Sequence, residues 1–76
     1  MDFEELEREL PAAVTLQEAY RAAFYMVEQY ISLEKNPDEG LILLLHYLNS
    51  DPARWEDWLL SVQRGLKDPG TVDPHR

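Results

Sequence analysis

Three helix-start signals recur along this chain of 76 residues. Residues 15–18 read Thr-Leu-Gln-Glu, residues 36–39 read Asn-Pro-Asp-Glu, and residues 50–52 read Ser-Asp-Pro. Each signal offers a side chain that caps backbone N–H groups, and two of them add a proline, which has no N–H to leave unpaired. A run of apolar residues at helical spacing follows each signal. The pattern predicts a compact all-α domain with short joints between helices.

We predict a small bundle of three main helices, over residues 16–34, 37–48 and 52–65, with a short N-terminal helix over residues 2–10 that Pro11 ends. Residues 1–66 then form a single helical domain. The segment 67–76 contains two prolines, a glycine and no periodicity, so it is predicted to be a flexible, disordered tail.

The run 41–48 is apolar nearly all round, which is typical of a helix buried on several sides. Its length also fits a buried strand. The preceding Asn-Pro-Asp-Glu signal and the richness in leucine favour a helix. If four short helices do not cover this apolar surface, the remaining patch pairs with another copy or with a client, since monomers seldom expose large apolar patches.

The chain contains 15 acidic and 7 basic residues, for a net charge of −8. This charge repels nucleic acid and anionic membranes, and it either steers basic partners towards the surface or serves only for solubility. The chain has no cysteine, its first residues are acidic where a signal peptide is basic, and no apolar stretch approaches 18 residues. We therefore expect a soluble, cytoplasmic protein.

No residue pattern in the chain points to catalysis. His46 lies in the leucine-rich run without a second histidine or a suitably spaced acid, so a core or edge position is favoured over a metal-ligand or general-base role. The serines lack a glycine elbow, and no glycine-rich loop is present to hold a phosphate. The sequence predicts no catalytic residue, no cofactor, no metal and no enzymatic activity.

Three aromatic residues are candidates for either a packing role or contact with a partner. Trp55 and Trp58 share one helical face and are predicted to anchor the fourth helix to the third, with an exposed interface ring as the alternative. Tyr25 falls on the polar side of the second helix. It is either a ring lying over the edge of the core or an apolar anchor for a partner.

Residues 15–24 read Thr-Leu-Gln-Glu-Ala-Tyr-Arg-Ala-Ala-Phe, and residues 51–59 read Asp-Pro-Ala-Arg-Trp-Glu-Asp-Trp-Leu. These two stretches resemble a group of small, acidic, uncharacterised bacterial helical proteins. The group opens with a TLxEAYxAM/F helix and closes with DPAxWxDW, and some of its members are suspected to be immunity partners of secreted toxins. The resemblance supplies no catalytic residue. The middle of this chain is shorter than in the group, so no loop-based binding surface carries over.

The leading hypothesis is a non-enzymatic protein-binding module, of the immunity or antitoxin type, that inhibits a basic partner. The alternative is a structural or adaptor bundle that self-associates as a homodimer through the third helix. The candidate partner-binding residues are six acids and one aromatic: Glu4, Glu5, Glu7, Glu9, Glu56, Asp57 and Tyr25.

Overall fold

Four α-helices make up the fold. The computed structural model describes residues 2–75 and contains α1 (Phe3–Glu9), α2 (Leu16–Ser32), α3 (Glu39–Ser50) and α4 (Arg54–Lys67). No strand forms within these residues, so the predicted all-α class is confirmed, as is the order of one short helix and three longer ones. Met1 and Arg76, which the predicted domain and tail include, lie outside the described residues.

The first two helices each begin at a capping side chain, and that of the second helix lies in the start signal at residues 15–18. The Asp2 carboxylate accepts hydrogen bonds from the backbone N–H groups of Glu4 and Glu5, at 3.0 and 3.4 Å. Thr15 and Glu18 form a capping box, in which each side chain accepts from the backbone N–H of the other, at 3.1 and 2.9 Å. These bonds satisfy N–H groups that the first helical turn leaves unpaired.

The third helix begins two residues later than predicted. The Asp38 carboxylate accepts a hydrogen bond from the backbone N–H of Leu41 at 3.0 Å, which makes Asp38 the N-cap. Pro37 therefore precedes α3 instead of opening it. The sequence carries two overlapping start signals here, and the aspartate that reaches the first-turn N–H decides between them.

The fourth helix also begins two residues later and ends two residues later than predicted. The Asp51 carboxylate accepts from the backbone N–H of Ala53 at 2.9 Å, which closes a turn before the helix. The helix itself starts at Arg54 without a side-chain cap. It then continues past Gly65 to Lys67, whereas α2 ends at Ser32, two residues short of its predicted end.

Helix α3 contacts both α2 and α4, so it holds the middle position among the three longer helices. The side chains that turn inwards are only partly buried, and they lie on one side of each helix. They are Ala19, Tyr20, Ala23, Phe24, Val27 and Ile31 of α2, Leu41, Leu45 and Leu48 of α3, and Trp58 and Val62 of α4.

The helices form an open arrangement, because none of the side chains in residues 2–75 is fully buried. The chain exposes 7136 Å², whereas a compact monomer of 8.9 kDa exposes about 4,800 Å². Its radius of gyration is 14.5 Å, against about 11 Å for a compact domain of this length. The prediction that the third helix is buried on several sides is therefore wrong. Every residue of α3 retains exposed surface.

Residues 68–75 follow α4 without helix or strand. A local turn holds the start of this segment, because the Asp68 carboxylate accepts from the backbone N–H groups of Gly70, Thr71 and Val72 at 3.0, 2.7 and 3.0 Å. Gly70 has a φ of 110°, in the left-handed region that favours glycine. The flexibility of the rest of the segment stays a prediction.

Candidate functional site

Tyr20 is the side chain that links all three longer helices. From α2, its hydroxyl donates a hydrogen bond to the backbone carbonyl of Leu48 at the end of α3. Its ring also meets the edges of two rings of α4, with centroids 6.4 Å from Trp55 and 5.4 Å from Trp58. We call Tyr20, Trp55 and Trp58 the aromatic cluster. It fixes the relative positions of the helices.

The two tryptophans bind α4 to α2, whereas the sequence predicted an anchor to the third helix, which α4 also contacts. The Trp58 indole N–H donates to the backbone carbonyl of Leu16 in α2 at 3.0 Å. Trp55 retains 37% of its surface exposed, whereas Trp58 is partly buried. The anchoring role therefore belongs mainly to Trp58, and Trp55 is the more accessible ring. The sequence could not choose between α2 and α3 because both offer an apolar stripe.

Helix α3 presents an uncovered apolar side. Leu43, Leu44 and Tyr47 are 48%, 43% and 53% exposed, and Gly40 lies one turn before them on the same side. At 100° per residue, this side is turned about 120° from the one that holds Leu41, Leu45 and Leu48. We call Gly40, Leu43, Leu44 and Tyr47 the outer stripe. It is a continuous apolar surface that α3 leaves open, and Met26, Tyr30 and the C-cap residue Leu33 form an exposed row along α2, at 57%, 61% and 73%.

Tyr25 lies on α2 away from the partly buried side chains of that helix. Its surface is 63% exposed, and its ring meets the edge of the Phe24 ring with centroids 5.6 Å apart. Phe24 is partly buried, so the Tyr25 ring rests beside the packed side chains without joining them. Its role as a partner anchor stays a prediction.

The acids predicted to contact a partner lie on two separate helices. Glu4, Glu5, Glu7 and Glu9 are all exposed on α1, around a stripe of Phe3, Leu6 and Leu10. Among the described residues, no hydrogen bond or ring contact joins α1 to another helix. Glu56 and Asp57 are exposed in the first turn of α4, where acids favour the helix dipole.

Asp57 belongs to a groove of about 180 Å³ between the helices, which Asp51, Arg54, Tyr47 and Ser61 also line. The mixed charges of this groove leave no single-sign field there. Asp57 therefore shares its groove with one cation and one further acid, whereas on α1 four glutamates accompany a single arginine, Arg8.

A small basic pocket was not found by the sequence analysis. It has a volume of about 200 Å³ and is lined by Arg21 of α2 and Arg54 and Trp55 of α4, together with Gln17 and Tyr20. The two arginines are distant in the chain and stand on helices that only the aromatic cluster brings together. No local signal in the sequence could have paired them.

His46 is exposed at the edge of α3, in agreement with the predicted edge position. It lines a shallow groove of about 240 Å³ with Phe24, Glu28, Ile42 and Leu45, among others. No group of three or more histidine, cysteine, aspartate or glutamate residues in the described part of the chain is placed to hold a metal ion.

Two carboxyl groups have lowered pKa values, and both act as caps. The Thr15 backbone N–H, and then its hydroxyl, lower the pKa of Glu18 by stabilising the carboxylate. The N–H groups of Val72 and Thr71, more than that of Gly70, lower the pKa of Asp68 in the same way. These shifts are explained by local backbone structure and do not mark a reactive site.

No family model matches the chain, and no similar curated protein or solved structure was found. The resemblance to acidic bacterial helical proteins therefore stays a hypothesis. Within residues 2–75, no helix has the length and apolar content needed to cross a membrane.

Proposed function

We propose that this chain is a non-enzymatic protein-binding module that binds another polypeptide through its uncovered apolar surface. The observation that carries the proposal is the open packing of the three longer helices. The chain exposes about 2,300 Å² more than a compact monomer of the same mass, and the outer stripe of α3 contributes a continuous apolar part of it. A contiguous exposed apolar surface is typical of an interaction site in a folded protein.

The aromatic cluster supports this proposal because it keeps the uncovered surface in a defined shape. Tyr20 holds the end of α3 through Leu48 and holds α4 through both tryptophans. A preformed surface loses less conformational entropy on binding than one that must be ordered first. The outer stripe therefore meets its partner on a helix that is already positioned.

Site-specific photo-cross-linking tests this proposal. A photoreactive phenylalanine analogue in place of Tyr47 reports contacts of the outer stripe in cells of the source organism, and the same analogue in place of the exposed Gln63 of α4 serves as the control. We expect Tyr47 to yield a cross-linked polypeptide, identified by mass spectrometry, that Gln63 does not yield. Equal products at the two positions, or none, would refute the proposal.

A second candidate function is inhibition of a basic protein, as expected for an immunity or antitoxin protein. The observation that favours it is the state of α1, whose four glutamates are exposed and which forms no hydrogen bond to the other helices within residues 2–75. Such a segment presents a net negative charge to a partner, since its four glutamates outnumber Arg8. Glu56, Asp57 and Tyr25 add two charges and a ring on α4 and α2.

Charge neutralisation tests the second candidate. Glu4, Glu5, Glu7 and Glu9 are replaced together by glutamine, and the tagged variant is compared with the original chain in pull-downs washed with increasing salt. We expect the original chain to retain a basic protein that salt releases, because charge steering is screened over about 8–10 Å at physiological ionic strength. Equal retention by the variant would remove the α1 glutamates from the interface.

A further inference from the structure

We propose that a second copy of this chain covers the outer stripe, in a symmetric dimer whose two α3 helices run antiparallel. This inference rests on the proposed function, since it names the partner of the same surface. It commits to a helix-to-helix contact centred between Leu43 and Leu44. Both are about half exposed in the single chain, at 48% and 43%.

The exposed area agrees with what a stable dimer buries. The excess of about 2,300 Å² on each chain amounts to about 4,600 Å² for two chains, within the range of about 2,000–5,000 Å² that obligate homodimers bury in total. Part of the excess belongs to α1 and to residues 68–75. A standard interface needs only about 800 Å² per partner, roughly a third of the excess on one chain.

The missing core favours a copy of the same chain over an unrelated partner. None of the side chains in residues 2–75 is fully buried, so the chain depends on a cover whenever it is folded. A second copy is present in equal amount wherever the chain is made. An unrelated protein meets that condition only when its supply is matched to this chain.

Charge also favours α3 as the meeting point of two chains that each carry a net charge of −8. Glu39 is the single residue of α3 among Asp, Glu, Lys and Arg, and His46 is its one histidine, whereas α1, α2 and α4 each carry several charged residues. In an antiparallel pair centred between Leu43 and Leu44, the two Glu39 residues stand about 13 Å apart along the helix axis. This separation exceeds the screening length of about 8 Å at physiological salt.

Side-chain size selects the antiparallel direction. With this centre, Leu43 faces the Leu44 of the second copy, and Gly40 faces its Tyr47. The absence of a side chain at Gly40 leaves room for the tyrosine ring, and two-fold symmetry repeats both contacts. A parallel pair in register would instead place the two tyrosines against each other and bring the Glu39 residues together.

Sedimentation of the unmodified chain is the first test. We expect a species of twice 8.9 kDa at tens of micromolar, with a melting temperature that rises with protein concentration. The exposed Leu60 of α4 supplies a matched control, since Leu60→Glu adds a charge away from the outer stripe and should leave the dimer intact. A helical monomer at tens of micromolar would overturn the proposal.

Mixing complementary variants tests the register. Leu43→Glu and Leu44→Lys should each weaken self-association at least 100-fold, because each places two charges against leucine in the seam. Mixed together, they should form a heterodimer by native mass spectrometry, since one Glu–Lys contact and one Leu–Leu contact result. A mixture of Leu43→Glu with Leu43→Lys should not, because position 43 faces position 44 in the antiparallel pair.

The outcomes separate this proposal from the more general one. Rescue by the second mixture and not the first would overturn the antiparallel seam, and rescue by neither would overturn a seam at these leucines. A monomer whose Tyr47 position cross-links to a different polypeptide would overturn the dimer and leave the proposed protein-binding function standing. A monomer without a specific cross-link at Tyr47 would contradict both the dimer and the proposed protein-binding function.

Discussion

Replacing Tyr20 by phenylalanine should destabilise the fold more than its exposure suggests. The Tyr20 hydroxyl donates to the backbone carbonyl of Leu48 in the last turn of α3. In a continuing helix that carbonyl would accept from the residue four positions later, which is Pro52 and has no N–H. The tyrosine hydroxyl therefore supplies a donor that the backbone lacks.

The magnitude follows from the loss of this bond with the ring contacts retained. A neutral hydrogen bond contributes about 0.5–1.5 kcal/mol, and an unpaired carbonyl that is partly shielded from water moves the cost of Tyr20→Phe to the upper end of that range. Tyr20→Ala also removes the edge contacts to Trp55 and Trp58, so we expect about 3 kcal/mol. The whole fold of a 76-residue chain has only about 4–11 kcal/mol of stability.

Chemical denaturation followed by circular dichroism, at one fixed protein concentration, measures these differences. Tyr25→Phe is the matched control, because Tyr25 is 63% exposed and its ring contact with Phe24 survives the change. We expect Tyr25→Phe to cost less than about 0.5 kcal/mol. If Tyr20→Phe cost no more than Tyr25→Phe, the assignment of Tyr20 as the link between helices would be refuted.

Three further predictions concern local structure. Thr15→Ala should lower the free energy of unfolding by about 1 kcal/mol, while Thr15→Ser keeps the capping oxygen and should lower it far less, as measured by denaturation. The lowered pKa of Glu18 contributes stability above the pKa of an unfolded glutamate, about 4.3, which is lost as pH falls through the folded pKa. Glu18→Gln should therefore flatten the unfolding free energy between about pH 5 and pH 3, and an unchanged slope would contradict this assignment. Gly70→Ala places a side chain at a φ of 110° and should abolish the exchange protection of the Thr71 and Val72 amides without a change in the global unfolding midpoint.

The local part of the fold was readable from the sequence because its causes are local. Asp2, Thr15 and Glu18 lie within three residues of the N–H groups that they cap, so their pattern predicts the start of α1 and α2. The same reasoning placed α3 and α4 two residues early, because Asp38 is the residue that caps α3, and α4 begins at Arg54 without a side-chain cap.

The contacts between helices were less predictable. Tyr20 and Leu48 are 28 residues apart. The helical pattern around a tyrosine does not indicate which distant carbonyl its hydroxyl will contact. The tryptophans were expected to anchor α4 to the third helix, and the structure shows in addition their ring contacts with Tyr20 of α2, which the sequence did not predict. Arg21 and Arg54 line one pocket only because this packing brings their helices together.

The apolar run of α3 relates the sequence pattern to the surface that the helix leaves exposed. A helix that is apolar nearly all round needs other polypeptide packed against several of its sides. The sequence alone does not show whether that polypeptide belongs to the same chain or to another one. In the single chain, α2 and α4 cover the side of Leu41, Leu45 and Leu48 and leave the outer stripe open. The apolar pattern of α3 and the open packing of the helices are consistent with each other if a second chain packs against the outer stripe. On that basis the wrong prediction of a buried third helix and the incomplete core have one cause, which is that the fold is completed by association.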